Sequence, residues 1–488
     1  LGLNPLLQDI GLAAHPPMLY IGYIGFSLIF SFAIISLLKE KIDQNSIKFI
    51  KPWLSFSWAF LTLGIGLGSW WAYRELGWGG YWFWDSVENV SLMPWLCGVA
   101  LIHTIIILEK TGNFKLWSCF LSILTFIFCL FGIFLVRSGI LTSVHSFAND
   151  PDRGIFIIML FLIIGGLAFL IFALKSNKIH KKYNNFSLTS QSLISQSGFI
   201  LINNFLFCLA LFVIVLGTLY PIILEIFFDN SISVGPPYYQ SLLSPLTILV
   251  LILMIFVPIL KIEQFKKISK KNIKKMLICF LLAVAISVFI LIIKKISINL
   301  FLTLVSSISL IIFYILSFKI KNNRINIKKY AILISHIGFA LIILAISLNA
   351  IFAKSIQKEF YFKDSVNISS YKVTFNEVQN SYGKNYLTRI GIFKIEDLSN
   401  KKTYNLKPES RYYPVSDSNT KEAAIKYNLF SDLYVVLGDK VSDNSFFVRI
   451  YFRPFISFIW LGCLMIFIGS LLYQFLSLMN NTGKIFFR

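Results

Sequence analysis

Eleven apolar runs dominate this chain of 488 residues, at 17–38, 53–73, 91–108, 115–137, 154–174, 198–220, 241–260, 276–293, 298–318, 330–352 and 455–477. Each is near the length of about 20 residues that crosses a hydrocarbon layer roughly 30 Å thick. Lipid offers no hydrogen bonds, so a chain entering it must satisfy its own backbone, and runs of this length do so as helices. Composition agrees, with 56% apolar residues and only 14% charged, well under the charged share of an average soluble domain. The expected fold is mainly α, a polytopic transmembrane helical bundle.

Positive charge sets the orientation, because loops left in the cytoplasm or matrix retain Lys and Arg. The segments 39–52, 109–115, 175–197, 261–275, 319–329 and the tail after 478 hold roughly five times as many of these residues as 72–90, 137–153, 221–240 and 294–297. Residues 1–16, the loop near Trp82, the loop around His145 and the polar segment 353–454 are therefore expected outside, in a periplasm or intermembrane space. The net charge of +22 is accounted for by the inner loops, and no nucleic-acid motif accompanies it. Lipid membrane is the expected surroundings, not nucleic acid. Leu1 follows no charged region or cleavage site of a secretory signal, so the start reads as a truncated or processed end.

Six cysteines (Cys97, Cys119, Cys129, Cys208, Cys279 and Cys463) fall within apolar spans and form no C-x-x-C pair, which excludes a thiol-exchange motif and a covalent haem site on this chain. Segment 353–454 alternates with period two in EFYFKDSVNISSYKVTF, NYLTRIGIFKI and SFFVRIYF, the pattern of a small β-rich domain. The division expected is a membrane core over 1–352 carrying an external aromatic box at 70–95, an extracytoplasmic β domain over 353–454, and a last span with an inner tail over 455–488. HPP at 15–17 and GPP at 235–237 read as rigid loop turns.

The box, WGGYWFWDSVEN at 78–89, is out of character with the rest of the chain. Gly77, Gly79 and Gly80 should stop the helix arriving from Trp53, and D-S-V-E has the form of a capping box in which Asp85 and Glu88 close the next helix. Tryptophan also gathers at membrane interfaces, but such residues are scattered, whereas Trp78, Trp82 and Trp84 crowd one short loop and suggest a shelf for a large flat ligand. A flat ligand carrying iron needs axial donors, most often imidazole. His15 and His145 flank the box on the outer side.

His103 and His336 form a second pair, within spans where a polar side chain is usually functional or bonded to a neighbour. His103 lies six residues before Glu109 and His336 seven after Lys329, so at 1.5 Å per residue both sit roughly 9–10 Å from the inner face. Equal depth on two helices is what a bis-imidazole haem requires; helix packing is the alternative. His180, in KIHKKY, reads as solvated.

LNPLLQDIGLAAHPPMLYIGYIGFS, WAYRELGWGGYWFWDSVENVSLMPWL, LVRSGILTSVHSFANDPDRG, RYYPVSDSNTKEAAI and DLYVVLGD resemble the CcmF family, the haem lyase subunit of cytochrome c maturation, from the first residues to the last span. The resemblance implies substrate haem held by His15 and His145 over a tryptophan–aspartate (WWD) box that includes Trp78, Trp82, Trp84 and Asp85. It also implies a resident b-type haem between His103 and His336. Arg137 and Arg74 are candidate propionate partners. The implied partners are a CcmE-like haem chaperone, apocytochrome c, and CcmH- and CcmI-like subunits that handle thiols and hold the apocytochrome; quinol is a candidate electron donor. The family usually has proline where Ser86 stands, and its members are longer at the N-terminus. The expected location is a bacterial cytoplasmic membrane or the mitochondrial inner membrane. A haem exporter or relay that forms no bond, and a transporter with a tryptophan belt, are the rival readings.

Overall fold

The structure, a computed structural model, describes residues 4–140, 150–183, 194–229, 232–260, 262, 269–317 and 327–482. It contains long helices α1 (Ile10–Leu38), α2 (Gln44–Glu75), α3 (Ser86–Thr111), α4 (Lys115–Ser138), α5 (Pro151–Tyr183), α6 (Gln196–Phe228), α7 (Pro236–Phe256), α8 (Lys270–Ile293), α9 (Ile298–Ser317), α10 (Ile327–Phe352) and α11 (Ser457–Thr482). Among the described residues, ten helices are long and apolar enough to cross a membrane. α2 is not one of the ten, although it has 32 residues, because Trp, Ser and Gly dilute its apolar stretch.

The chain divides into two compact units, Leu1–Pro17, Gly66–Trp82 and Leu341–Gly462 in one, and Met18–Ile65, Phe83–Ala340 and Cys463–Arg488 in the other. Without a hydrophobic drive between helices in lipid, packing in the second unit relies on small residues and on interhelical polar contacts. The backbone of Leu61 lies so near Gly22 that a Cβ there would meet it at 2.8 Å, and Gly64 is pressed likewise against Leu19. Trp58 Nε1 donates to the Trp95 carbonyl at 3.1 Å and Trp95 Nε1 to Thr62 Oγ1 at 2.8 Å. Asn204 Nδ2 donates to Thr104 Oγ1 at 2.7 Å, tying α6 to α3.

The first unit holds a β-sandwich. β1 (Lys354–Tyr361), β10 (Ser445–Pro454), β9 (Ser431–Ser442) and β8 (Ala424–Lys426) form one antiparallel sheet in that order. The other runs β2 (Ser365–Ile368), β3 (Tyr371–Tyr382), β4 (Leu387–Asp397), β6 (Glu409–Tyr413) and β7 (Ser418–Glu422), with β5 (Thr403–Leu406) also paired to β4. Phe360, Val373, Phe375, Phe393, Val435 and Ile450 lie between the sheets. β9 is buried on both faces: Leu433, Val435 and Leu437 point into this core, while Tyr434 and Val436 pack with Tyr73, Ala345 and Ile459 from the ends of α2, α10 and α11. Burying a large apolar side chain contributes about 1.5–3 kcal/mol.

Two sequence expectations change. HPP is no loop turn: α1 starts at Ile10 and runs through Pro16 and Pro17, as apolar residues on both sides favour helix and a membrane helix tolerates proline where other groups satisfy the freed carbonyls. GPP does mark a boundary, with Gly235 capping and Pro236 opening α7. The stretch 359–375 is divided among β1, β2 and β3 by turns at 362–364 and 369–370, and β5 to β9 carry too little clean alternation to be read in advance.

Two outcomes are expected. Gly79 has φ +68°, and a Cβ on it would lie 2.5 Å from the Tyr451 ring, so Gly79→Ala should destabilise the first unit by about 1–3 kcal/mol, read as a lower unfolding temperature of the purified protein. Burial, with the Glu422 and Asp9 carboxylates beside it and Arg74 opposing, pushes the Glu75 carboxyl from its ordinary 4.5 up to about 8. The folded state thus holds this proton more tightly than the unfolded chain. Its stabilising effect is complete below about pH 4.5 and is lost as pH rises through about 8. Glu75→Gln should flatten the fall in thermal stability across that window; an unchanged slope would count against a protonated Glu75.

Candidate functional site

His103 of α3 and His336 of α10 meet in the helical unit, with ring centroids 6.3 Å apart and planes at 70°. Each Nδ1 sits against the carbonyl one turn back, 2.8 Å from Val99 O and 2.7 Å from Ile332 O. A proton on Nδ1 makes that bond and leaves the Nε2 lone pair for a metal, with the carbonyl fixing tautomer and ring orientation. An imidazole nitrogen lies about 2 Å from a ligated metal with the ring centre about 1 Å beyond, so two rings across one metal stand about 6 Å apart. The observed separation matches. Tyr314 of α9 stacks on His336, centroids 5.5 Å apart and planes within 11°.

Both histidines line a cavity of about 900 Å³, at the large end of the range for small-molecule and cofactor sites, about 300–1,000 Å³. Trp58, Trp95, Phe207 and Phe339 supply apolar wall, and Lys110, Lys271, Lys275 and Lys329 line it as well. A macrocycle with an iron centre and acidic edge groups fits this donor set and this volume: two imidazoles for the metal, apolar walls for the ring, and ammonium groups for the acids.

The outer residues are built by different means. Gly77 and Gly79 take positive φ, +66° and +68°, which turns the chain sharply after α2. Ser69 Oγ donates back to the Tyr81 carbonyl and holds the turn to the helix. Trp78 is 39% exposed and lines a pocket of about 390 Å³ with Glu75, Leu76, Thr420 and Lys421; Trp82 is half-buried. His15 packs on α2 at Gly68, where a Cβ would stand 2.5 Å from His15 Cε1, so glycine makes room for the imidazole. Arg74 is engaged by the Asp9 carboxylate at 2.5 Å and lies over the Trp70 ring at 4.6 Å.

In the helical unit, Trp84 adopts φ +57°, an uncommon conformation for a bulky residue, and stacks on Tyr239 at 4.2 Å with planes within 6°. Asn89 Nδ2 reaches the Trp84 carbonyl, Thr218 Oγ1 and the Tyr239 hydroxyl at 2.9–3.2 Å. Asp85 caps α3, accepting from Val87 N at 3.3 Å, and Glu88 Oε2 accepts from the amides of Phe83 at 2.8 Å and Asp85 at 3.1 Å. Ser86 occupies the first helical position. Arg137 lies in the last turn of α4, its carbonyl accepting from Asp150 N at 2.9 Å. His145 and the side chain of His180 lie outside the described residues.

The structure thus brings His103 and His336 together. Sequence reasoning passed over Tyr314 and Tyr239, both packed on a predicted site residue; GPPYYQ at the mouth of a span was the available signal for Tyr239, and α9 offered none for Tyr314. The six cysteines are free thiols, Cys97, Cys119, Cys129 and Cys279 buried and Cys208 and Cys463 partly so.

Residues 2–142 match the family model "Cytochrome C assembly protein" and residues 353–454 match "CcmF C-terminal beta-sandwich". The chain is 38% identical to the cytochrome c-type biogenesis protein CcmF of Haemophilus influenzae, covering 97% of this chain and 74% of that one. It is 37% identical to CcmF of Escherichia coli, covering 97% and 72%, and 34% identical to NrfE, a cytochrome c-type biogenesis protein of H. influenzae, covering 97% and 74%. A solved structure named "Cytochrome c Heme Lyase CcmF" superimposes with a TM-score of 0.76 at 23% identity, covering 96% of this chain and 72% of the other, and so shares the fold. The chain belongs to the CcmF family of cytochrome c-type biogenesis proteins.

Proposed function

We propose that this protein is the haem lyase subunit of a cytochrome c maturation complex in a bacterial cytoplasmic or mitochondrial inner membrane. Substrate haem is held at the WWD box by His15 and His145, with Trp78, Trp82 and Trp84 as its shelf. Each apocytochrome thiol adds across a vinyl group: sulfur bonds the carbon next to the ring and the thiol hydrogen goes to the terminal carbon, with no net oxidation. The protein's share is placement, because the reactive groups belong to substrate haem and peptide. A CcmE-like chaperone delivers haem, and CcmH- and CcmI-like subunits present apocytochrome c.

The observation that carries this reading is the His103–His336 pair, two imidazoles at 6.3 Å with each Nδ1 bonded to a carbonyl beside a cavity large enough for a macrocycle. His103 and His336 would hold a resident b-type haem there, which would supply one-electron reduction to keep substrate iron ferrous, with quinol as the candidate donor. Val99 and Ile332 carbonyls hold the rings, Tyr314 backs His336, and the apolar walls exclude water.

Two measurements test it. The purified protein should show a Soret band and a split reduced α band of low-spin bis-histidine haem, and His103→Ala or His336→Ala should abolish them; an unchanged spectrum in both variants would refute the resident site. Co-expressed with its maturation partners and an apocytochrome, His15→Ala should cut holocytochrome yield by about tenfold or more, within the range for a mispositioned reactant. Gly68→Ala, which drives a methyl group into His15, should give a smaller loss while leaving the resident spectrum intact. Normal yield in both would exclude His15 as a ligand.

A further inference from the structure

β10 carries Arg453 on the same face as Tyr451, directed at the helix ends and away from the sandwich core. Its guanidinium carbon lies 4.9 Å from the Tyr451 ring centre, and Tyr73, Tyr81 and Tyr434 are close enough to act on its charge. Its Nε is buried and has no hydrogen-bond partner, and among the described residues no carboxylate forms an ion pair with it. The omission is specific. Asp432 stands directly opposite Arg453 in the β9–β10 register, where cross-strand side chains are about 5 Å apart at Cβ, yet its two oxygens are bonded to other groups. Asp432 Oδ2 accepts from the Tyr73 hydroxyl at 3.2 Å and Oδ1 from the Asn428 amide at 3.1 Å. Arg453 is partly exposed, and burying its Nε without a counter-charge is unfavourable, so the side chain is suited to take an anion.

That anion is planar. Guanidinium offers donors in a fork that matches a carboxylate bidentately, and the surroundings are aromatic, suited to a flat apolar body bearing acidic groups. The box is one ring away: the Tyr451 ring that carries the guanidinium also receives the backbone of Gly79, and Tyr81 lies edge-on to Trp460 with centroids 6.3 Å apart. Arg74, the arginine nearer the box in sequence, is already engaged by Asp9. We propose that Arg453 is a carboxylate-binding residue that takes a propionate of the haem presented at the box and so fixes the rotation of the macrocycle, and with it which edge faces the incoming thiols. This rests on the box reading above. The phosphate of an anionic lipid headgroup shares the chemistry and is the competing source of the anion.

The test uses the full-length chain in phosphatidylcholine nanodiscs, titrated with haem and with haem dimethyl ester, whose propionates are neutral. Wild type should bind the diacid at least about tenfold more tightly, the scale of one charge-assisted hydrogen-bonded pair. Arg453→Gln should bring the two ligands to equal affinity, and Arg453→Lys, a cation without the fork, should restore part of the preference. His15→Ala should weaken both ligands alike. The resident His103–His336 spectrum serves as the check that each variant is folded. A preference that survives in Arg453→Gln overturns the assignment while the box reading stands; absence of any His15-dependent haem binding overturns the box reading and this assignment together. In discs containing phosphatidylglycerol, an Arg453-dependent gain in thermal stability with no preference for the diacid would assign the site to lipid phosphate and overturn the propionate.

Discussion

An imidazole within a membrane span has to give one nitrogen to something, and here that constraint organises the inner site. The carbonyl of residue i−4 lies within reach of a histidine pointing back along its helix, so His103 and His336 can each satisfy Nδ1 without any other residue. What remains on each ring is Nε2, and the two rings stand with centroids 6.3 Å apart. The helix itself therefore sets both the tautomer and the orientation of each ligand, and the surrounding spans have only to bring two helices to the right distance and supply a wall. Tyr314, stacked on His336, restricts that ring further.

The outer region depends on a different economy. Glycines with positive φ let the chain leave α2 abruptly, and the acids that follow cap the start of α3, so the tryptophans are carried on a short, sharply turned segment. Arg74 is engaged by the Asp9 carboxylate, and burial beside the Asp9 and Glu422 carboxylates raises the Glu75 carboxyl above its ordinary range.

How much of this was legible beforehand follows from the physics of each feature. Spans could be read because lipid demands length and apolarity together, and the depth of His103 and His336 because helix rise is constant and both could be measured from charged residues at the same face. The capping box at Asp85 is a local pattern and was legible for that reason. The sandwich was visible only where strands alternate; β9, buried on both faces, reads as a continuous apolar run, and short strands such as β5 and β8 leave no period. Pro16 and Pro17 misled because proline in a soluble context breaks helices. The stack of Trp84 on Tyr239 and the orphaned Nε of Arg453 depend on where distant side chains turn, Asp432 above all, and no local pattern encodes that.

The proline pair in α1 has one more implication. Without amide hydrogens at 16 and 17, the carbonyls of Leu12 and Ala13 lose their helical donors, and an unmet carbonyl in hydrocarbon costs several kcal/mol. That turn therefore needs donors from outside the helix backbone or from water. Two successive pyrrolidine rings thus leave two neighbouring carbonyls to find partners other than the helix backbone, in the turn that carries His15.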